Sequence, residues 1–346
     1  MKWIRESWYV IALESEIPSI DHEKVFSRTI LGERILVYRS ANNLFQLIAL
    51  RDRCVHRKVP ISTGIRIGDN VRCGYHGLQY CPTGKLCKVP GMEDSEIPNR
   101  AIKSYPVEIR HGYVFVWMGK PHSPDYTLLP SDDELKPIGT HAIGYMHAEV
   151  SANLLCDNLL DFTHLDFVHP TTLGGTTTFS SIRPEIKEID RGVSISWDMP
   201  DVEAPPYYGK FRRFASKMDR WFHYTFKLPG VLMMDSGGKP KDPSDVPVKL
   251  QVKQFIVPET ETTSHYFFSQ SLSKEFDEEN IGDVILKESL VKMMNQTAVE
   301  AFTEDIEILK LQPSKSHVNI NFWFDEAAEL YNSLYQGYVQ AESSVV

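Results

Sequence analysis

Cysteine is scarce in this chain, with five among 346 residues. A small, odd number of thiols makes no disulfide framework, so each is expected to be a metal ligand or a plain buried thiol in a reducing compartment. Basic charge is also in deficit. Lys and Arg number 37 against 46 Asp and Glu, a formal net charge of −9, and such a chain lacks the positive field with which nucleic-acid binders neutralise phosphate. No apolar run approaches the roughly 20 residues that span a bilayer. The opening residues, MKWIRESWYV, lack the apolar core of a secretion signal. A cytoplasmic protein with neither a membrane nor a nucleic-acid partner is therefore expected. No internal repeat or low-complexity tract is evident.

What is present suits a globular chain. Hydrophobic residues make up 42% and charged residues 24%, enough for a sizeable core, and the length suggests about two domains. Short β signals fill the first third. Residues 34–39 (RILVYR) and 44–50 (LFQLIAL) flank the polar turn 40–43 and read as a hairpin. Further strands are expected near 71–73 and 112–118, among the loop-marking glycines Gly64, Gly68, Gly74, Gly77, Gly84 and Gly91. Residues 119–130, GKPHSPDYTLLP, hold three prolines and read as a linker. Beyond them, helices are expected over 152–167 and 282–311, with strands near 193–197, 221–228, 249–257 and 264–272. The expected fold is α+β: an N-terminal all-β domain over 1–120 and a C-terminal domain of antiparallel sheet and helices over 121–346.

The first unit carries a pattern of metal-binding residues. Cys54-Val55-His56 is followed, after residues 57–72, by Cys73-Gly74-Tyr75-His76. Two such pairs on two loops can close one four-ligand site, and thiolate with imidazole suits zinc or an iron–sulfur cluster. Zinc knuckles usually pair Cys with Cys. Here each loop supplies one Cys and one His, a division that suits a 2Fe–2S Rieske centre, where two Cys hold one iron and two His the other. Cys81 and Cys87 fall outside this pattern and read as structural or free thiols.

A second pattern lies in DNLLDFTHLDFVH, residues 157–169. Non-haem Fe(II) oxygenases need two His and one carboxylate on one face of the metal, and His164 and His169 supply two ligands. Asp161 and His164 are three apart and share a helical face. His164 and His169, five apart, would splay by about 140° on a continuous helix. The helix must therefore distort or stop between them, and Pro170 favours an end near 166–169. A third ligand is sought in EAFTEDIEILKLQ, residues 300–312. Asp305 has Ala301, Phe302, Ile308 and Leu309 as helical neighbours. It thus falls on the apolar stripe, where an acid is costly unless paired or metal-bound. Glu300, Glu304 and Glu307 read as a solvated acidic face. Asn158, set among Leu154, Leu155, Asp161 and Phe162, is expected to point inward.

The stretches CVHRKVPIS and CGYHGLQYCPTGKL resemble the two cluster loops of Rieske proteins, with Cys54, His56, Cys73 and His76 on the ligand positions. Leu78 stands where that family often has an aromatic residue. DNLLDFTHLDFVH resembles the DxxHxxxxH motif of Rieske ring-hydroxylating oxygenases and O-demethylases. Taken together, the motifs resemble the terminal oxygenases of the vanillate-demethylase-like branch over nearly the whole chain. The resemblance implies a catalytic domain of helix-grip type. It implies a Rieske 2Fe–2S cluster, and a mononuclear Fe(II) held by His164, His169 and Asp305. Asp161 is implied as the carboxylate that bridges electron flow, accepting a hydrogen bond from the far nitrogen of His164, and Asn158 as an amide beside the site. It also implies a homotrimer in which His76 of one chain approaches Asp161 of the next. A flavin and iron–sulfur reductase or a ferredoxin would deliver the electrons, so that NAD(P)H acts only indirectly.

The implied reaction uses dioxygen to demethylate or methyl-hydroxylate a small aromatic substrate, an aromatic acid being expected. Ring dihydroxylation is the alternative chemistry, and a non-catalytic Rieske electron carrier the alternative class. Phe222, Tyr224, Phe226 and Met233 or Met234 are candidates for the pocket wall or for plain core. The basic run Arg212, Arg213, Lys217 and Arg220 would suit an anionic substrate or a solvated face.

Overall fold

The computed structural model describes residues 3–43, 45–174, 179–210, 214, 216–275, 284–313 and 320–344. Contacts divide the chain into two compact units, Trp3–Asp132 and, in the main, Asp133–Val346. Residues 119–130, expected as a linker, pack within the first unit. Trp8 donates from its indole to the Asp125 carbonyl at 2.8 Å and lies 5.3 Å from the Tyr126 ring, while Trp117 donates to the Lys120 carbonyl.

The first unit is all-β, in three small antiparallel sheets. The hairpin expected from the sequence pairs Glu33–Arg39 with Leu47–Arg51, joining Arg39 to Leu47 and Ile35 to Arg51. Its second strand starts later than position 44, and Leu44 itself lies outside the described residues. The expected strands near 71–73 and 112–118 appear as Asn70–Arg72 and Tyr113–Trp117. A core of Leu36, Tyr38, Leu50, Ile61, Val71 and Tyr80 also contains Cys54 and Cys73, so the two thiols are part of the packing.

The second unit is built on a seven-stranded antiparallel sheet, ordered His141–Ala148, Ser264–Leu272, Val248–Pro258, Val231–Pro240, Met218–Lys227, Gly192–Val202 and Glu185–Ile189. Strand alternation sets what faces inward. Along Met218–Lys227, residues 218, 220, 222, 224 and 226 are buried, while Asp219 and His223 turn outward. The long helix, expected over 282–311, runs Val284–Leu309 among the described residues. It lies against the first two strands. Phe302 stacks on Tyr266 at 4.5 Å and meets Phe268 edge-on at 5.0 Å, Gln270 donates to the Met294 carbonyl, and Asn295 donates to the Ile143 carbonyl. A C-terminal helix, Glu326–Ser344, crosses the far strands, with Tyr331 against Phe226 and Tyr338 under Arg191. The sheet and long helix form the helix-grip arrangement expected for the catalytic unit.

The helix expected over 152–167 stops sooner, at Ala152–Leu160. Asp161 is extended (φ −125°, ψ 106°), a 3-10 turn Phe162–His164 follows, and one α-turn, Leu165–Val168, ends at His169 before Pro170. The end near 166–169 is therefore present, with a second break that the sequence reading did not include.

Gly144 stands opposite Phe268 in the sheet register, and a Cβ at Gly144 would come within 2.3 Å of the tip of that ring. Since Phe268 is already held against Phe302, the ring has little room to yield. Gly144→Ala is expected to destabilise the second unit by about 1–3 kcal/mol. Urea unfolding followed by tryptophan fluorescence checks this, against Gly209→Ala, whose Cβ would meet open space.

Candidate metal centres

In the first unit two tight turns present the four candidate ligands. The turn at Cys54 closes through Lys58 N–H to the Cys54 carbonyl and Cys54 N–H to the Val59 carbonyl. The turn at Cys73 closes through Gly77 N–H to the Cys73 carbonyl and Cys73 N–H to the Leu78 carbonyl. Each contains one left-handed residue, Lys58 (φ 62°) and Gly77 (φ 72°). The turns are set close together at Gly64, where a Cβ would come 1.8 Å from the Arg72 carbonyl oxygen and 2.7 Å from the Gly74 nitrogen. Cys54 and Cys73 are buried, whereas His56 and His76 are exposed, their Nδ1 atoms 3.1 Å apart. Burial raises the Cys73 pKa, the Tyr75 amide opposes the rise, and the neighbouring Cys54 sulfur adds to it. A free thiol is thus favoured until a metal takes the thiolate.

Two buried sulfurs facing two converging imidazole nitrogens fit the donor set of a Rieske centre. Tyr80, which the sequence reading passed over, touches this site: its hydroxyl lies 3.1 Å from Cys54 Sγ and accepts from the Val55 amide at 3.0 Å. The signal was strand alternation, which puts Tyr80 inward beside Val71. Cys81 and Cys87 pair with Thr83 Oγ1 and the Gln79 carbonyl instead.

In the second unit His164, His169 and Asp305 offer ligand atoms that all lie within 4.8 Å of one another. One carboxylate oxygen, Oδ1 of Asp305, gathers His169 Nε2 at 3.0 Å, His164 Nε2 at 3.4 Å and the donated amide of Asn158 at 3.2 Å. Burial works to raise the Asp305 pKa. Hydrogen bonds and charge from His164 and His169 outweigh it and hold the group at about 2. The acid is therefore ionised beside two imidazoles, the donor set of a facial two-histidine, one-carboxylate site. Of the apolar neighbours used to select Asp305, Ala301, Phe302 and Leu309 are buried, while Ile308 is 45% exposed.

The outer nitrogens of both histidines are also occupied, which fixes the ring orientations. His164 Nδ1 bonds to the main-chain oxygen of Asp161, not to its carboxylate as expected. The carboxylate accepts from the Thr163 amide and hydroxyl, at 2.8 and 3.0 Å, capping the 3-10 turn. The expectation failed because the extended backbone at Asp161 turns the carbonyl toward the imidazole. Burial raises the Asp161 pKa, opposed by those two bonds from Thr163. His169 Nδ1 meets Glu304 Oε2 at 2.6 Å, and Thr172 Oγ1 donates to the same oxygen at 2.8 Å. Glu304, read from the sequence as a solvated acid, thus supports a ligand. The loop after His169 reaches the long helix through Thr172 and Glu304 and doubles back on its own turn, with Gly174 so close to the Leu165 carbonyl oxygen that a Cβ would sit 2.1 Å from it.

A cavity of about 100 Å³ opens beside the three residues, and its wall includes Phe162, Tyr208, Phe222, Met234, Phe268 and Phe302. Of the pocket candidates, Phe222 and Met234 line it. Phe226 is core against Tyr331, Tyr224 stacks on Phe162, and Met233 lies on the other face of the sheet. The basic run divides: Arg212 and Arg213 lie outside the described residues, Lys217 bonds Asp201 at the surface, and Arg220 lines the cavity.

A β domain with a Cys/His double turn, followed by a helix-grip domain with a His-His-Asp triad, defines a terminal oxygenase of Rieske type. Family models for the Rieske 2Fe–2S domain and for the vanillate O-demethylase oxygenase C-terminal domain match residues 7–106 and 148–335. The chain is 38% identical over 321 residues to the toluene-4-sulfonate monooxygenase system iron-sulfur subunit of Comamonas testosteroni, covering 88% of this chain and 86% of that protein. It is 28% identical over 327 residues to the vanillate O-demethylase oxygenase subunit of a Pseudomonas strain, covering 89% and 85%. Its fold superposes on crystalline dicamba monooxygenase bound to 3,6-dichlorosalicylic acid with a TM-score of 0.80, at 25% identity and 99% coverage of both chains.

The chain belongs to the Rieske oxygenases with a vanillate O-demethylase-type catalytic domain, and is the oxygenase subunit of a Rieske-type monooxygenase. Its cofactors are a Rieske 2Fe–2S cluster and a mononuclear iron at the His-His-Asp site. No helix among the described residues is long and apolar enough to cross a membrane.

Glu304 gives a direct test of the support around His169. Glu304→Ala is expected to weaken Fe(II) retention about tenfold or more. Glu304→Gln should keep most of it, because the amide oxygen still accepts from Nδ1–H. Iron remaining after dialysis against a chelator checks both, and full retention by the alanine variant contradicts the assignment.

Proposed function

We propose that the chain inserts one oxygen atom of dioxygen into a methyl or methoxy carbon of a small aromatic acid, the second atom leaving as water. The observation that carries this reading is an apolar, aromatic-walled cavity bordered by His164, His169 and Asp305. The relatives that act on toluene-4-sulfonate and vanillate support the acid. In this reading Cys54, His56, Cys73 and His76 hold the cluster, and His164, His169 and Asp305 hold the iron. When bound, these groups supply single electrons and activate dioxygen beside the substrate.

The protein's own residues do the rest. Phe222, Phe268 and Phe302 confine the ring and exclude water. Asn158 keeps Asp305 in place through its amide, and its own oxygen is buried without a partner among the described residues. Exposure of His56 and His76 suits electron entry from a separate reductase or ferredoxin, itself fed by NAD(P)H. Asp161, whose backbone holds His164, is the proposed bridge to His76 of a neighbouring chain in a homotrimer.

Turnover with a reductase, toluene-4-sulfonate, vanillate and ¹⁸O-labelled dioxygen tests the reading. A benzylic alcohol carrying one labelled atom, or an unlabelled demethylated phenol with formaldehyde that carries the label when it is trapped as it forms, is expected. A cis-diol with two labelled atoms would establish ring dihydroxylation instead. Asp161→Asn is expected to keep its iron and its reducible cluster yet fail to oxygenate substrate in a single turnover. Normal single-turnover oxygenation by that variant would remove Asp161 from the electron route.

A further inference from the structure

The cavity beside the iron site is bordered by a buried guanidinium with two donor atoms that the protein leaves unmet. Arg220 sits on the inward face of Met218–Lys227 and is 2% exposed. Its Nε and Nη1 are buried and make no hydrogen bond. Aromatic rings surround it: the guanidinium carbon lies 5.2 Å from the Phe222 centroid, 5.6 Å from that of Tyr208 and 5.8 Å from that of Phe179.

Two polar neighbours act on Arg220: Tyr208 through charge and a weak hydrogen-bonding contact, and Asp166 through charge alone. Neither closes a hydrogen bond of ordinary geometry with it. The Tyr208 hydroxyl is itself buried and without a partner, and Asp166 accepts from the Ser180 amide through Oδ2 while its Oδ1 stays unpaired. Arginine stays protonated at any working pH. A buried guanidinium with unmet donors is costly for a core to hold, and it persists where a ligand completes it. Both unsatisfied donors, Arg220 and Tyr208, border the same cavity as His164, His169 and Asp305.

We propose that Arg220, with the Tyr208 hydroxyl beside it, is the anion-binding point of the cavity, taking the sulfonate or carboxylate of an aryl substrate. The planar fork of N–H donors matches either headgroup. A ring held there by its charge occupies the space that the metal-binding triad borders. The inference rests on the monooxygenase reading of the same site and adds the residue that selects charged over neutral arenes.

The test uses the iron-loaded protein and three probes: toluene-4-sulfonate, 4-methylbenzoate, and the uncharged methyl 4-tolyl sulfone. Binding is measured by calorimetry for the wild type, Arg220→Met and Arg220→Lys. Arg220→Met is expected to weaken binding of the preferred anion about a hundredfold while changing sulfone binding by less than about threefold, with Arg220→Lys between. The anion that binds more tightly identifies the headgroup. Retained sulfone binding reports that the cavity of Arg220→Met is still folded.

Equal losses for anion and sulfone, or no affinity of the wild type for either anion, would overturn the proposal. If the wild type oxygenates the sulfone as readily as the anions, the anchor falls and the monooxygenase reading stands. If anions bind through Arg220 but no oxygen is inserted, the anchor stands and that reading falls.

Discussion

The second unit is organised around one buried carboxylate oxygen. Oδ1 of Asp305 is contacted by two imidazoles and an amide, and an ionised acid in such a place costs several kcal/mol unless its lone pairs are matched. The matching groups come from the 152–169 segment, on the far side of the sheet in sequence. The sheet, the long helix and the Phe302–Tyr266–Phe268 contacts bring these stretches together and keep them there. A helix that ran unbroken through Asp161 could not present both histidines to one point. The extended residue at 161 and the short turns after it resolve that conflict.

The same segment couples ligand geometry to backbone geometry. His164 takes its orientation from a main-chain carbonyl and His169 from Glu304. One support is therefore indifferent to the side chain at 161, and the other depends on the side chain at 304. That difference separates the two acids by contact: the Asp161 carboxylate bonds Thr163, while the Glu304 carboxylate bonds an imidazole. In the first unit the division is between burial and exposure. The sulfurs are sealed in the core and the imidazoles face outward, which suits a centre that must be stable yet reachable by electrons.

Much of this was readable from residue order. Both Cys/His pairs, the DNLLDFTHLDFVH segment and the choice of Asp305 followed from ligand chemistry and helical spacing, even though one of the four neighbours used, Ile308, is exposed. Glu304 was missed because a helical wheel treats a polar stripe as solvent and cannot see a distant loop fold over it. The break at Asp161 was missed because nothing local forbids helix there; the tertiary need to place His164 decides it. The basic run containing Arg220 suited either an anionic substrate or a solvated face, and the run as a whole did not say which of its members turns inward. Strand alternation, with 218, 220, 222, 224 and 226 on one face, was the signal that separated Arg220 from Lys217.

Two distinct iron sites share one chain, with His164, His169 and Asp305 forming the second. Iron and acid-labile sulfide measured per chain, in the wild type and in Asp305→Ala, test this most directly. Three irons and two sulfides are expected in the wild type, falling to two irons with both sulfides kept in the variant. Loss of sulfide along with iron in the variant, or zinc in place of iron in the wild type, would contradict it.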